Sequence, residues 1–221
     1  MSTQPAPITR VERSRAAAQS AYDRLSRWYD LMAGGSERKV AEMGLDRLHV
    51  QAGEKVLEVG FGTGNSLAAL ARRTGEAIHG VDLSTGMARV AQGKLARQGL
   101  SHHAQLLCAD ALCLPYADQS FDAVFLSFVL ELFDTPDLPL ALQECGRTLR
   151  ERGRIGVVSL VKRDRLAVRI YEWFHLRLPA YVDCRPIYAR DTLERSGFRV
   201  EEADEALMWG LPVEIVIARK K

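Results

Sequence analysis

The sequence predicts an α/β fold: a doubly wound, mostly parallel sheet with helices on both faces, within one domain. Three observations predict it. From residue 55 onward, short continuous apolar runs alternate with helical apolar stripes, the pattern of βαβ units. One run, "FDAVFLSF" at 121–128, is apolar almost throughout, as parallel strands buried on both faces are. Glycines at 60, 62 and 64 follow directly on the first run, where an open parallel sheet forms its ligand crevice. At 221 residues, 47% of them hydrophobic, the chain can bury one sizeable core.

Residues 1–20 contain Pro5 and Pro7 and are expected to lack fixed structure, leaving 21–221 as the domain. Tyr22, Leu25, Tyr29 and Met32 recur at helical spacing, and Gly34 with Gly35 is expected to end that helix. A second helix is expected over Ser36 to Leu48. The first strand, "KVLEVG" (55–60), leads to a helix with Leu67, Leu70 and Ala71 on one face. "AIHGVD" (77–82) follows, then a stripe of Met87, Val90, Ala91 and Leu95, then "AQLLCAD" (104–110) and the run at 121–128. Thr135 and Pro136 form a cap followed by proline at the first helical position. The stripe of that helix is Leu138, Leu142, Cys145 and Leu149, with a stop at Gly153. "IGVVSLV" (155–161) is the fifth strand. A helix over Leu166 to Leu176, a loop with Pro179 and Pro186, and a short helix before Gly197 precede two closing strands, "FRVEEA" (198–203) and "VEIVIA" (213–218).

Thirty basic and 28 acidic residues leave a net charge of +2, and no long run of one sign calls for nucleic acid. Cys108, Cys113, Cys145 and Cys184 show no metal-ligand spacing with the five histidines, so no structural metal is expected. The N-terminus lacks the order of a secretory signal, and the longest apolar stretch is far shorter than a membrane span. A cytoplasmic protein with reduced thiols is the expectation.

The glycines stand in "VLEVGFGTGNS" (56–66) behind one carboxylate, Glu58. Glycine there permits a tight turn and close approach of a ligand, and the amides of the next helix can hold an anionic group. A dinucleotide-binding turn requires G-x-G-x-x-G, whereas here Asn65 stands in place of the last glycine. Asp82 closes the second strand in "GVDLS", placed to accept from a ribose diol or to balance a helix dipole. Asp110 closes the third in "CADA", placed to accept from an exocyclic amine or to bond nearby amides. Three acids at three successive strand ends point together to a bound ligand.

With those residues in view, the chain from about Tyr22 to its C-terminus resembles the class I S-adenosylmethionine-dependent methyltransferases. The motifs that carry the resemblance are "VLEVGFGTG" (56–64), "GVDLS" (80–84), "ADALCLPYADQSFDAVF" (109–125) and "LRERGRIGVV" (149–158). Within that superfamily it is most similar to the branch containing the ubiquinone and menaquinone biosynthesis C-methyltransferases. The resemblance implies a Rossmann-like sheet of seven strands with the last antiparallel, and N-terminal lid helices at 21–48. It implies S-adenosyl-L-methionine as cofactor. Gly60, Phe61, Gly62, Thr63 and Gly64 would line its methionine part, with Glu58 holding the amino group. Asp82 and Leu83 would take the ribose, Asp110 and Ala111 the adenine, and Ser127 would flank the cofactor at the end of the fourth strand.

The implied chemistry is in-line attack of a nucleophile on the sulfonium methyl, for which the protein supplies mainly alignment and exclusion of water. The acceptor is expected to be a small or lipid-like molecule, with peripheral membrane contact compatible with the latter. The helix "YDRLSRWYDLM" (22–32) resembles the lid of the quinone branch, which places Tyr22 over the reaction and Tyr29 beside the acceptor. Core packing is the other role for either ring. After the fourth strand the quinone branch shows a phenylalanine followed closely by an Arg-Asn pair. This chain reads "SFVLELF", with Phe128 kept and Glu131-Leu132 at the pair. Glu131 could accept a proton or meet a cationic amine, which opens phospholipid or small-amine N-methylation as an alternative; helix capping or a solvent-facing position is the other reading of it. In "YVDCRPIY" (181–188), Arg185 could meet an anionic group and Cys184 an acceptor, or both could serve a proline-braced loop. A non-catalytic scaffold on the same fold is a further alternative.

Overall fold

The computed structural model describes residues 8, 10, 11, 15–25, 29–177 and 184–221. The chain runs α1 (Arg15–Leu25), α2 (Tyr29–Leu48), β1 (Val56–Val59), α3 (Asn65–Thr74), β2 (Ile78–Asp82), α4 (Thr85–Arg97) and β3 (Ala104–Cys108). It continues through β4 (Phe121–Ser127), α5 (Asp137–Thr148), β5 (Leu149–Leu160), α6 (Leu166–Arg177), α7 (Ala189–Arg195), β6 (Phe198–Met208) and β7 (Leu211–Lys220). These strands form one sheet in the order β3-β2-β1-β4-β5-β7-β6. Neighbours from β3 through β5 are parallel, and β7 runs antiparallel to both β5 and β6. The expected seven strands and antiparallel last strand are both present.

The period-two rule explains why the strands read as continuous apolar runs. In β4, Ala123 and Phe125 join an apolar cluster with α2, α3 and α4, while Val124 and Leu126 join another with α5 and α7. Successive side chains point to opposite faces, and both faces are covered. Because β1 is flanked by β2 on one side and β4 on the other, the chain winds outward in two directions from that point. The loops leaving β1 and β4 therefore diverge and open a crevice at the carboxyl ends of the strands.

Local rules give way in several places. Gly34 and Gly35 do not end a helix: α2 passes through both, and the stripe from Tyr22 to Met32 is divided between α1 and α2. Glycine costs a helix interior about 1 kcal/mol relative to alanine, and burial of Val40, Ala41, Leu45 and Leu48 outweighs it. α1 begins at Arg15, inside the stretch expected to lack structure. Leu149 belongs to β5 rather than to the α5 stripe; it pairs with Phe121, and the strand runs on through Gly153. Pro136 occupies the cap position of α5 without a side-chain capping bond. The closing strands are longer than their apolar cores, joined at Trp209-Gly210, both at positive φ of 52° and 78°, the twist a two-residue hairpin requires.

Candidate active site

The three glycines after β1 have three different reasons to be glycine. All have left-handed φ, at 70°, 51° and 79°, where a Cβ is strained. At Gly60 an added Cβ would lie 2.4 Å from Cγ2 of Val129, so the loops after β1 and β4 touch there. At Gly64 it would lie 2.9 Å from Cβ of Ala91, pressing α3 onto α4. At Gly62 nothing stands within 4 Å. Gly62 is thus the bare backbone that faces the crevice. Gly64, expected to line the cofactor, is instead a helix-packing residue outside the lining.

The crevice is one cavity, and most of the expected residues meet in it. Glu58, Gly60, Phe61, Gly62 and Thr63 line it from the first loop, Asp82 and Leu83 from the second, and Asp110 and Ala111 from the third. Ser127 at the end of β4 and Phe128 after it line the cavity, and Tyr22 lines it from α1. Phe128 holds a positive φ of 55° while its amide donates to Val158 O at 2.8 Å, an unusual conformation for a bulky residue and one that clusters at ligand sites.

Glu58 is buried on the α2–α4 face of β1. Burial drives its carboxyl well above the usual range, a hydrogen bond with Ser66 opposes this, and the Asp82 charge adds to it. Its Oε2 is buried with no hydrogen-bond partner, a costly state for an acid. That oxygen could accept from a donor entering the cavity, and a cationic donor would favour the charged carboxylate. Asp82 uses Oδ2 to accept from Gly62 N and Oδ1 from Ser84 N, both at 2.8 Å. Burial raises its pKa above the usual value against those two bonds. Each oxygen retains a second lone pair for a diol. Asp110 Oδ1 accepts from Leu112 N at 3.0 Å, so its turn-bonding role and its place on the cavity wall coexist.

The acceptor side differs from expectation. Glu131 does not line the cavity: it is fully buried in a short 3-10 turn, and its Oε1 accepts from Leu160 N of β5 at 2.7 Å. Desolvation there pushes its carboxyl up to about 8. Arg185, fully buried, donates to Phe133 O and Thr135 Oγ1; it braces the turn after β4 rather than receiving an anion. Cys184 is half-buried and packs on the core. The Tyr29 side chain and residues 181–183 of the proposed substrate loop lie outside the described residues.

Several lining residues escaped the sequence reading. Glu37 and Arg38 of α2 and Asp134 after β4 face the cavity. Asp134 accepts from Arg10 Nη2 at 2.6 Å and from Val11 N at 3.0 Å, Val11 also lines the cavity, and the Arg10 guanidinium holds Asp134 far below the usual carboxylate range. Asn65, in place of a third glycine, accepts from Lys94 Nζ at 2.6 Å. Its side chain ties α3 to α4 where a pyrophosphate turn would need open backbone.

A parallel sheet with its crevice at the β1/β4 divergence, a glycine turn, a buried unsatisfied acid and a doubly amide-bonded acid make a cavity that suits S-adenosylmethionine. Residues 56–153 match the methyltransferase domain family. The chain is 36% identical over 148 residues to the methyltransferase GfsG of Streptomyces halstedii, which covers 66% of this chain and 52% of that protein. It is 32% identical over 135 residues to the ubiquinone/menaquinone biosynthesis C-methyltransferase UbiE of Teredinibacter turnerae, 60% of this chain and 53% of that one. The chain thus spans about half the length of the curated relatives it matches. Among solved structures, the [4+2]-cyclase SpnF superposes with a TM-score of 0.76 at 20% identity, covering 94% of this chain and 97% of that one, a likeness of fold alone. Residues 56–153 thus match a methyltransferase domain in sequence, the chain is similar to S-adenosylmethionine-dependent methyltransferases in sequence and fold, and the residues at the strand ends fit that cofactor.

Proposed function

We propose that the chain transfers the methyl group of S-adenosylmethionine to a small, largely apolar acceptor by in-line displacement. The observation that carries this reading is the pairing of an orphaned acid, Glu58, with the doubly amide-bonded Asp82 on one cavity wall. Glu58 would hold the ammonium of the amino-acid tail, Asp82 the ribose hydroxyls, and the turn at Asp110 and Ala111 the adenine edge. The cofactor, once bound, supplies an activated sulfonium methyl.

The chain's own part is alignment and exclusion of water. Phe128, Leu132 and Phe133 form an apolar wall after β4, and α1 brings Tyr22 over the opening. Glu131, outside the cavity, offers the acceptor no base, which suits a nucleophile that arrives already deprotonated, such as an enolate carbon or a neutral amine. A nitrogen acceptor is the second reading, favoured by the carboxylates Glu37 and Asp137 on the lining.

The test is thermal stability with S-adenosylhomocysteine at increasing concentration, comparing wild type with Asp82→Ala. Binding to the folded state alone stabilises by about 2.7 kcal/mol at a hundredfold excess over Kd. A shift in wild type and none in Asp82→Ala supports the reading; no shift in either sinks it. Methyl-labelled cofactor offered with quinone precursors and with amines then separates the two acceptor classes.

A further inference from the structure

α6 carries its apolar stripe on the wrong side for a core helix. Leu166, Ile170, Trp173 and Phe174 fall at i, i+4, i+7 and i+8, one face of a helix. That face is exposed: Leu166 to 71% and Trp173 to 52%. The opposite face is the one that packs inward, through buried Val168 and His175. Trp173 and Phe174 meet edge to face at 5.1 Å, and the Arg177 guanidinium lies 5.0 Å from the Trp173 ring centre. Arg165, Arg169 and Arg177 are exposed along the same helix, whereas Glu172 is engaged by Lys162 at 2.6 Å. Asp164 is the exposed acid just before it.

The tip of the β6–β7 hairpin adjoins this helix. Arg163 is ion-paired with Glu205, and Val168 shares an apolar cluster with Met208 and Leu211. Leu207 and Trp209 on that hairpin are exposed to 67% and 60%. α6 begins just beyond the carboxyl end of β5, the end of the sheet at which the cavity opens.

We propose that the outward face of α6, continued by the tip of the β6–β7 hairpin, is a docking surface for an anionic lipid bilayer. Tryptophan and phenylalanine among exposed leucine and isoleucine suit the headgroup and acyl boundary, and flanking arginines suit anionic headgroups. No helix among the described residues is long and apolar enough to cross a membrane, so the contact is one of lying on the surface. Such docking would turn the cavity end of the sheet toward the lipid. Delivery of a lipid-like acceptor rests on the methyltransferase reading; the docking does not.

Cosedimentation of the full chain with phosphatidylcholine vesicles, with and without phosphatidylglycerol, tests it. The chain should partition to the anionic vesicles and be released by salt. Trp173→Ser combined with Phe174→Ser should weaken partition by about tenfold, and Arg165→Glu with Arg169→Glu by about fivefold or more per arginine. All these positions are exposed, and an unchanged S-adenosylhomocysteine-induced thermal shift in the variants shows an intact fold and cofactor site. Failure to partition, with that shift intact, overturns docking and leaves the methyltransferase reading standing. Concentration-dependent self-association abolished by the Trp173/Phe174 pair overturns it as well, making the face a contact between copies.

Discussion

Asp23 of α1, the proposed lid, and Ser84 of the α4 cap are joined by a 2.5 Å hydrogen bond from the serine hydroxyl to Oδ1. The same oxygen accepts from Gly86 N at 2.7 Å, and Ser84 N in turn donates to Asp82. The position of α1 and the proposed ribose-binding acid therefore share one turn.

This linkage predicts that Gly86→Val loosens the lid. A Cβ at Gly86 would lie 2.8 Å from the Asp23 Cα, backbone that cannot yield without moving α1. Calorimetry should show weaker S-adenosylhomocysteine binding in this variant, and in Asp23→Ala, by roughly threefold to tenfold. The Ser84 and Gly86 bonds lower the pKa of Asp23 below its usual 3.8. A depressed carboxylate stabilises above its unfolded pKa and loses that contribution as pH falls through the folded one. The latch should thus be whole at neutral pH and open only in acid. Unchanged affinity in both variants would show that the latch does not govern binding.

Glu58 has the opposite sign. With its folded pKa raised, its contribution to stability is full below the unfolded value and falls as pH rises through the folded one. Glu58→Gln should therefore leave the ligand-free protein at least as stable on the alkaline side. An entering ammonium would convert the acid to a carboxylate, so S-adenosylhomocysteine binding by wild type should release a proton. Titrations in two buffers of different ionisation enthalpy read that release. Glu58→Gln should show none and bind about tenfold or more weakly; proton release persisting in the variant would move the ammonium site elsewhere.

Gly62 and Gly64 separate binding from folding. Both substitutions to alanine bear the left-handed penalty of about 1–2 kcal/mol. Only at Gly64 does the new methyl also strike Ala91, which adds about 1–3 kcal/mol of overpacking. Urea unfolding should show Gly64→Ala as the less stable, whereas S-adenosylhomocysteine affinity should suffer more in Gly62→Ala. The reverse order would exchange their roles.

Glu131→Gln tests the displaced acid. Its carboxyl titrates near 8 in the fold against an ordinary 4.5, so wild-type stability should decline as pH rises through that range. The glutamine carbonyl can still accept from Leu160 N, and the melting temperature of the variant should be flatter between about pH 5 and 9. Methyl transfer should remain within about twofold of wild type. A large loss of turnover with unchanged cofactor binding would return Glu131 to the chemistry.

The sheet was legible because its signals are local: a strand buried on both faces must be apolar almost throughout, and "FDAVFLSF" is, Asp122 and Ser127 near its two ends aside. Glu58, Asp82 and Asp110 were legible for a related reason, since strand ends in a parallel sheet share one edge. The wall after β4 was not. Neighbouring residues there point in different directions, and the direction of Glu131 depends on an amide contributed by Leu160, 29 positions away. Arg185 could be read either as meeting an anion or as a surface arginine of a proline-braced loop; its burial against Phe133 and Thr135 is a tertiary fact.

By itself the sequence determined the alternation of strands and helices, the glycine turn and the acids at the strand ends, because each depends on spacing along a few residues of chain. Only the tertiary structure decided that α2 runs through two glycines, that Gly62 alone of the three leaves open space for a Cβ, that Asp23 fastens α1 to the α4 cap and that Glu131 is turned away. Each of those outcomes depends on contacts between segments far apart in the chain, where packing and hydrogen bonding outweigh local preferences of about 1 kcal/mol.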